Sequence, residues 1–198
     1  MCSSDLPTPE APAEQPSPAP VPTGQAGSLT VEPPYGGPGA RILVTAPRLT
    51  APGVRFRIGG SEASAGVVRR RILADLDQVE LTIPPGARTG LLEVLEDDEV
   101  RTAPVRVLRD LRVEPSLVSM PSAGWSTRIE WSATDTTGAE LSRPRVTMGL
   151  DPEGAASLAE DGTLVARQSG IVRISATSGY LRSTLAATSS GNPTPAPF

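Results

Sequence analysis

A chain of 198 residues with 22 prolines, 19 glycines, 38% hydrophobic residues and 3% aromatics has room for one large or two small domains, whose cores must be built mainly from Val, Leu, Ile and Ala. It contains no His and no Lys, all 18 basic residues being Arg, so it lacks the usual neutral-pH proton shuttle, a Schiff-base Lys and the Lys of a phosphate-cradling loop. The net charge of −4 comes without a basic stripe, which argues against a nucleic-acid partner; no apolar run approaches the roughly 18 residues of a membrane span; and a single cysteine, Cys2, excludes an internal disulfide and a cysteine-rich metal site.

Met1-Cys2-Ser3-Ser4-Asp5-Leu6 leaves three readings open. It has the look of a translated sequencing-adapter end, of a plain terminus, or of a mature lipoprotein start with lipid on Cys2. The last resemblance rests on a Cys followed by small polar residues and a Pro-rich stretch, although no apolar signal segment precedes it here. Residues 1–27 read as a disordered Pro/Ala-rich tether, with Pro7, Pro9, Pro12, Pro16, Pro18, Pro20 and Pro22 set among Ala, Thr, Ser, Glu and Val. Such a segment favours extended polyproline-like conformations of ~3.1 Å per residue. Residues 189–198 have the same linker character.

From 28 to 108 the pattern predicts short strands separated by turns. Leu29 and Val31 alternate before the turn from Pro33 to Gly39; Ile42 and Val44 share a face; Val54, Phe56 and Ile58 alternate with Arg55 and Arg57, and Gly59-Gly60 closes that strand. Val79, Leu81 and Ile83 run into Pro84-Pro85-Gly86, where the prolines end the ladder, and Gly86 and Gly90 are expected to take backbone angles that other residues resist. Leu92 and Val94 lead to an acidic tip, and Val105 and Val107 mark the last strand of this half. From 109 to 188 a new strand is expected at Leu111 and Val113, followed by one with Ile129, Trp131 and Ala133 on one face. A turn follows at Asp135-Thr136-Thr137-Gly138, then a hairpin at Asp161-Gly162 between Leu158 and Leu164, a strand through Val172, Ile174 and Ala176, and a closing strand with Leu181 and Leu185. Many short strands at this spacing indicate an all-β chain of two tandem β-sandwiches.

The Pro33–Gly39 turn, the strand with Val54, Phe56, Gly59 or Gly60, and Ala63, and the Ile83-Pro84-Gly86-Ala87-Gly90 stretch together resemble the IPT/TIG family of immunoglobulin-like domains, with a departure at Ala46-Pro47-Arg48-Leu49. Ala133-Thr134-Asp135 to Gly138, Asp161 to Ala166 and Gly170 to Gly179 resemble the group 2 bacterial Ig-like family; the tryptophan usual before its Asp-Gly hairpin is replaced by Val146-Thr147-Met148. These resemblances imply immunoglobulin-like sandwiches over 28–108 and 109–188. They further imply a non-catalytic stalk or adhesion module of a secreted or cell-surface bacterial protein. Its partners would be other domains of the same parent chain, surface proteins or glycans, with membrane contact only through a lipid anchor. The alternative they imply is a carbohydrate-binding accessory module of a larger extracellular enzyme.

Candidate sites are few. Glu96-Asp97-Asp98-Glu99 offers oxygen ligands for calcium or a solvated turn, the second being favoured because neighbouring strand residues point to opposite faces. Asp75 and Asp77 share a face if that stretch is a strand, as a carboxylate pair would need, but no cleft or aromatic subsite accompanies them. Arg69-Arg70-Arg71 reads as a glycan contact or as an edge protected by charge. Trp131 reads as core, while Trp125, after Ser122-Ala123-Gly124, reads as a stacking platform for a sugar or as a lid over the sandwich end. No nucleophile–base pair and no metal-ligand spacing is present, so no catalytic residue, metal or cofactor is expected.

Overall fold

Strict alternation of Val, Leu and Ile with Arg, Thr and Glu becomes strand wherever turn residues interrupt it. The computed structural model describes residues 29–70, with the backbone alone for 67–70, and residues 76–190. Residues 1–28 with Cys2, Arg71, Asp75 and residues 191–198 lie outside the described residues. In the first half, β1 (Thr30–Glu32), β3 (Arg41–Pro47), β6 (Ser64–Arg70) and β7 (Leu76–Thr82) form a sheet in the order β1-β3-β7-β6. It faces a second sheet of β2 (Tyr35–Gly36), β4 (Arg55–Ile58), β5 (Ser61–Glu62), β8 (Gly90–Glu96) and β9 (Glu99–Glu114), in which β2 runs parallel to β9 and the order continues β9-β8-β4-β5. The arrangement is the two-sheet topology of an immunoglobulin-like sandwich. Ile42, Val44, Val79 and Leu81 from one sheet meet Phe56, Ile58, Leu92, Val94, Val105 and Val107 from the other, all buried.

The second half repeats the plan with different details. Its strands are β10 (Leu117–Met120), β11 (Ser126–Arg128), β12 (Glu130–Asp135), β13 (Glu140–Ser142), β14 (Thr147–Asp151), β15 (Ala156–Leu158), β16 (Thr163–Ala166), β17 (Gly170–Ser178) and β18 (Leu181–Ser189). One sheet runs β10-β18-β17-β14, with β10 parallel to β18. The other is split at Ile129: β12 pairs with β9 and β13, whereas β11 pairs with β16, which pairs with β15. Leu111, Val113, Ile129, Ala133 and Leu164 form one wall of a second core; Val118, Met120, Val172, Ile174 and Leu185 form the other. The chain is therefore all-β, two tandem immunoglobulin-like sandwiches, and no helix occurs among the described residues.

Two expectations change. The strand at Val105–Val107 and the strand at Leu111–Val113 are one strand, β9, of 16 residues. Arg109 is its extra residue: Asp110 pairs with Thr134 but Leu108 pairs with Asp135. Val105 and Val107 enter the first core and Leu108, on the other face, begins the second; the bulge shifts the register by one so that Leu111 and Val113 continue on Leu108's face. The glycines after Pro85 also differ from expectation. Neither Gly86 nor Gly90 has positive φ, and a Cβ on Gly86 would meet only the Ser61 Oγ at 3.5 Å. The demanding glycine is Gly59, at φ 54°, where a Cβ would collide with the Arg88 backbone. Gly59→Ala is expected to cost about 1–3 kcal/mol for the left-handed conformation, and more because the Arg88 backbone must move. Gly86→Ala should instead stabilise by about 0.4–1 kcal/mol through the unfolded chain. Urea unfolding of the two variants checks the contrast, and equal costs would contradict it.

Candidate functional site

The most elaborate polar constellation lies where the two sandwiches meet. The 135–138 turn, closed by Gly138 N–H donating to the Asp135 carbonyl (3.0 Å), folds back onto the first sandwich. The Thr136 N–H donates to the Val107 carbonyl (2.9 Å), and the Thr89 N–H donates to Thr136 Oγ1 (2.7 Å). At the centre Asp135 is buried, with 1% of its surface exposed. Its Oδ1 accepts from the N–H and Oγ1 of Thr137 and from the Ala139 N–H, and its Oδ2 accepts from Arg106 Nε at 2.9 Å. Burial by itself would raise the carboxyl, but the Thr137 hydroxyl, Arg106 and the two backbone donors outweigh it and hold the group well below its ordinary value of 3.8.

Further contacts tie the same ends together. The Arg145 N–H donates to the Tyr35 hydroxyl (2.7 Å), the Gly37 N–H donates to Ser178 Oγ (3.0 Å), and the Tyr180 N–H donates to the Pro38 carbonyl (2.7 Å). Gly179, at φ 61°, lies so close to Pro38 and Ala40 that a Cβ would overlap their backbones. The junction is thus closed by main chain on both sides.

Beside it runs a groove of about 640 Å³ between the edges of β14 and β15. Trp131, Met148, Leu150 and Leu158 line it as half-buried extensions of the second core, and Tyr35 reaches into it from the first sandwich. Trp131 Nε1 donates to the Pro144 carbonyl (2.9 Å), and the Arg143 guanidinium lies 5.6 Å from the indole centroid, a cation–π stack. Sequence reasoning placed Trp131 in the core and missed the groove. The available signal was the half-apolar run Val146 to Leu150, which is too irregular to give away an open seam.

The predicted candidates separate. Trp125 is 54% exposed, in a loop pinned to β16 by Gly124 N–H to the Ala166 carbonyl (2.7 Å) and Ala166 N–H to the Trp125 carbonyl (3.0 Å), at the end of the second sandwich away from the junction. Asp77 caps a loop, accepting from the N–H (2.9 Å) and Oγ1 (2.7 Å) of Thr50; its companion Asp75 lies outside the described residues. Among the described residues β6, which carries Arg69 and Arg70, is an edge strand paired only with β7; Arg71 lies outside them.

The acidic tip is not a set of four like groups. Glu96 is buried, 3.3 Å from buried Arg101 and 2.7 Å from Arg48, while Asp97, Asp98 and Glu99 are exposed. Arg101 also donates through Nη1 to the Pro47 carbonyl at 2.6 Å. Glu96 is therefore neutralised by Arg, and among the described residues no three acidic, Cys or His groups converge on a metal position.

No family model matches the chain, and no curated protein matches it. Among solved structures, domains 1–6 of the surface layer protein SbsC are similar at 19% identity and a TM-score of 0.39, covering 72% of this chain and 20% of that one. InvD of Yersinia pseudotuberculosis is similar at 18% identity and 0.30, covering 85% and 58%. The Bacteroides ovatus protein SGBP-B, solved with a mixed-linkage heptasaccharide, is similar at 14% identity and 0.31, covering 83% and 45%. The chain thus spans less than two thirds of each of these.

The Asp135 clamp makes stability depend on acid. Its folded-state value is depressed, so its contribution is complete above about pH 4, the unfolded range, and is lost as pH falls toward the folded value. The stability gap between the native chain and Asp135→Asn, measured by denaturant unfolding, should be widest near neutrality and close as pH drops below that range. A gap independent of pH would refute the clamp. Glu96→Ala leaves Arg101 buried without a counter-charge and should cost about 3–5 kcal/mol, while excess calcium should leave the melting temperature of the native chain unchanged.

Proposed function

We propose that this chain is a non-catalytic structural or adhesive module of a secreted or cell-surface bacterial protein, acting as a stiff segment of a stalk. One observation carries the reading: β9 passes from the first core to the second with no linker, and the 135–139 turn locks across the passage. At ~3.3 Å per residue its 16 residues run for about 50 Å. The module spans 28–108 as an IPT/TIG-like sandwich and 109–188 as a group 2 bacterial Ig-like one. Support comes from Gly39, Gly59, Gly60, Gly138, Gly162 and Gly179, turn glycines of the quoted motifs that all have positive φ. Residues 1–27 serve as one tether and the stretch beyond Ser190 as another, later than the expected start at 189 because Ser189 ends β18 and Ser190 bonds the Met120 and Pro121 carbonyls; lipid attachment at Cys2 is one mode of anchoring. Its partners are other domains of the parent chain, surface proteins or glycans. The role needs no cofactor and no catalytic residue: the best-placed carboxylates, Asp77, Glu96 and Asp135, are each engaged by donors in structural roles.

A second reading, a carbohydrate-binding accessory module, is favoured by Trp125, an exposed indole on a pinned loop. Nitrogen-15 relaxation of the full chain tests the first reading: both sandwiches should report one rotational diffusion tensor, and independent tumbling would defeat the stalk. A glycan array tests the second. Binding abolished by Trp125→Ala would establish it, and silence across a broad panel would remove it.

A further inference from the structure

The groove beside the junction is an unfilled seam in the second core. β15 and β16 are three and four residues long, and residues 143–146 cross from the β12–β13 side to β14 instead of covering the gap. Trp131, Met148, Leu150 and Leu158 therefore remain half-buried, with Tyr35 closing one end. At about 640 Å³, the groove has the size of a ligand site, about 300–1,000 Å³.

Its walls favour one chemistry. Two aromatic rings among aliphatic side chains suit the ridges of a proline-rich segment, which binds such grooves because its backbone is already extended and loses little entropy. The rim is basic on one side: Arg143 stacks on Trp131, and Arg145 is exposed and forms no ion pair among the described residues; Glu160 lies on the rim as the opposing charge. A proline-rich occupant carrying acidic residues and no basic ones matches this rim.

This chain contains such a segment. Residues 7–22 hold seven prolines, and their only charges are Glu10 and Glu14. Reach is sufficient. Tyr35 is five residues from Thr30, hence within about 18 Å of it, and the eight residues from Pro22 to Thr30 span up to about 28 Å when extended. We propose that residues 7–22 dock into the Tyr35–Trp131 groove of their own chain, with Glu10 or Glu14 against Arg145. The tether then has a folded-back length and a released one, and salt favours release by screening the Arg145 contact. This goes beyond the stalk reading and does not depend on it.

The test uses the full chain with Cys2→Ser and Ser17→Cys, a nitroxide on position 17, and nitrogen-15 amide spectra. Docking should broaden the amides of Arg145, Met148, Leu158 and Ala159. The broadening should be lost with Arg145→Glu, an exposed position whose fold-bearing group is its backbone N–H, and reduced at ~1 M salt, where the screening length is about 3 Å. Broadening confined to Leu29–Val31 and their neighbours would overturn the proposal. So would broadening that persists when labelled chains lacking nitrogen-15 are mixed with unlabelled nitrogen-15 chains, because the occupant would then be another copy's tether.

Discussion

One strand has to satisfy two hydrophobic cores, and the rest of the molecule is arranged around that constraint. β9 gives Val105 and Val107 to the first core and Leu108, Leu111 and Val113 to the second. A straight strand with period two would present the same face throughout. The second sandwich packs against the opposite face, which Leu108 already presents before the bulge; the inserted Arg109 shifts the register so that Leu111 and Val113, rather than Asp110 and Arg112, continue that face. A bulge also increases local twist, which turns the second sandwich about the strand axis without breaking the chain's hydrogen bonding to β12. Sequential domains ordinarily move relative to one another because a loose linker joins them. Here the linker has been replaced by strand, and the orientation is fixed by backbone geometry.

A bulge alone would leave unpaired backbone groups and a hinge, and the polar network explains why it does not. Thr136 satisfies the Val107 carbonyl just before the bulge, and Asp135 opposite Leu108 gathers Thr137, Ala139 and Arg106. Arg106 projects from β9 itself, so the strand that creates the constraint also supplies the cation that locks the facing turn. Buried carboxylates are costly unless their acceptor sites are filled, and those of Asp135 are filled by two backbone N–H groups and the Thr137 hydroxyl of its own turn together with Arg106. On the opposite side the Gly37 N–H is held by the Ser178 hydroxyl, the Tyr180 N–H bonds the Pro38 carbonyl, and Gly179 lets the two backbones approach closely. Both sides depend on local turn shape more than on apolar area.

The sequence made the sandwiches legible because their signals are local. Val54-Phe56-Ile58 alternates with Arg55 and Arg57, and Asp161-Gly162 marks a hairpin whose flanking Leu158 and Leu164 do pair. The junction was illegible because its signals are distant or misleading. Arg109-Asp110 looks like a charged break between domains, yet a bulged residue is exposed and tolerates charge. Asp135 was read as a turn residue, which it is; its partner Arg106 lies 29 positions away and no local pattern announces it. The acidic tip misled too: Glu96 is distinguished from Asp97 and Asp98 only by Arg101, five positions on across the β8–β9 hairpin, and by Arg48 on another part of the fold. Pro84-Pro85-Gly86 promised a strained turn, whereas the strain sits at Gly59, across from Arg88.

The groove follows from the same constraint. β12 gives one edge to β9 at the junction and the other to β13, so only β11 remains for β16, and the edge of β11–β12 is covered by two short strands, β13 and β16. Residues 143–146 cross between the sheets where the seam opens, and Arg143 takes φ 50° there. Tyr35 enters because β2 follows β9 in parallel up to the junction. The architecture that stiffens the connection therefore also leaves one stretch of core uncovered, at the place where side chains of both sandwiches meet. Asp77, Asp135 and Asp161 are occupied with holding turns, whereas that opening and the Trp125 loop at the far end are two places where apolar and aromatic surface is available to something else.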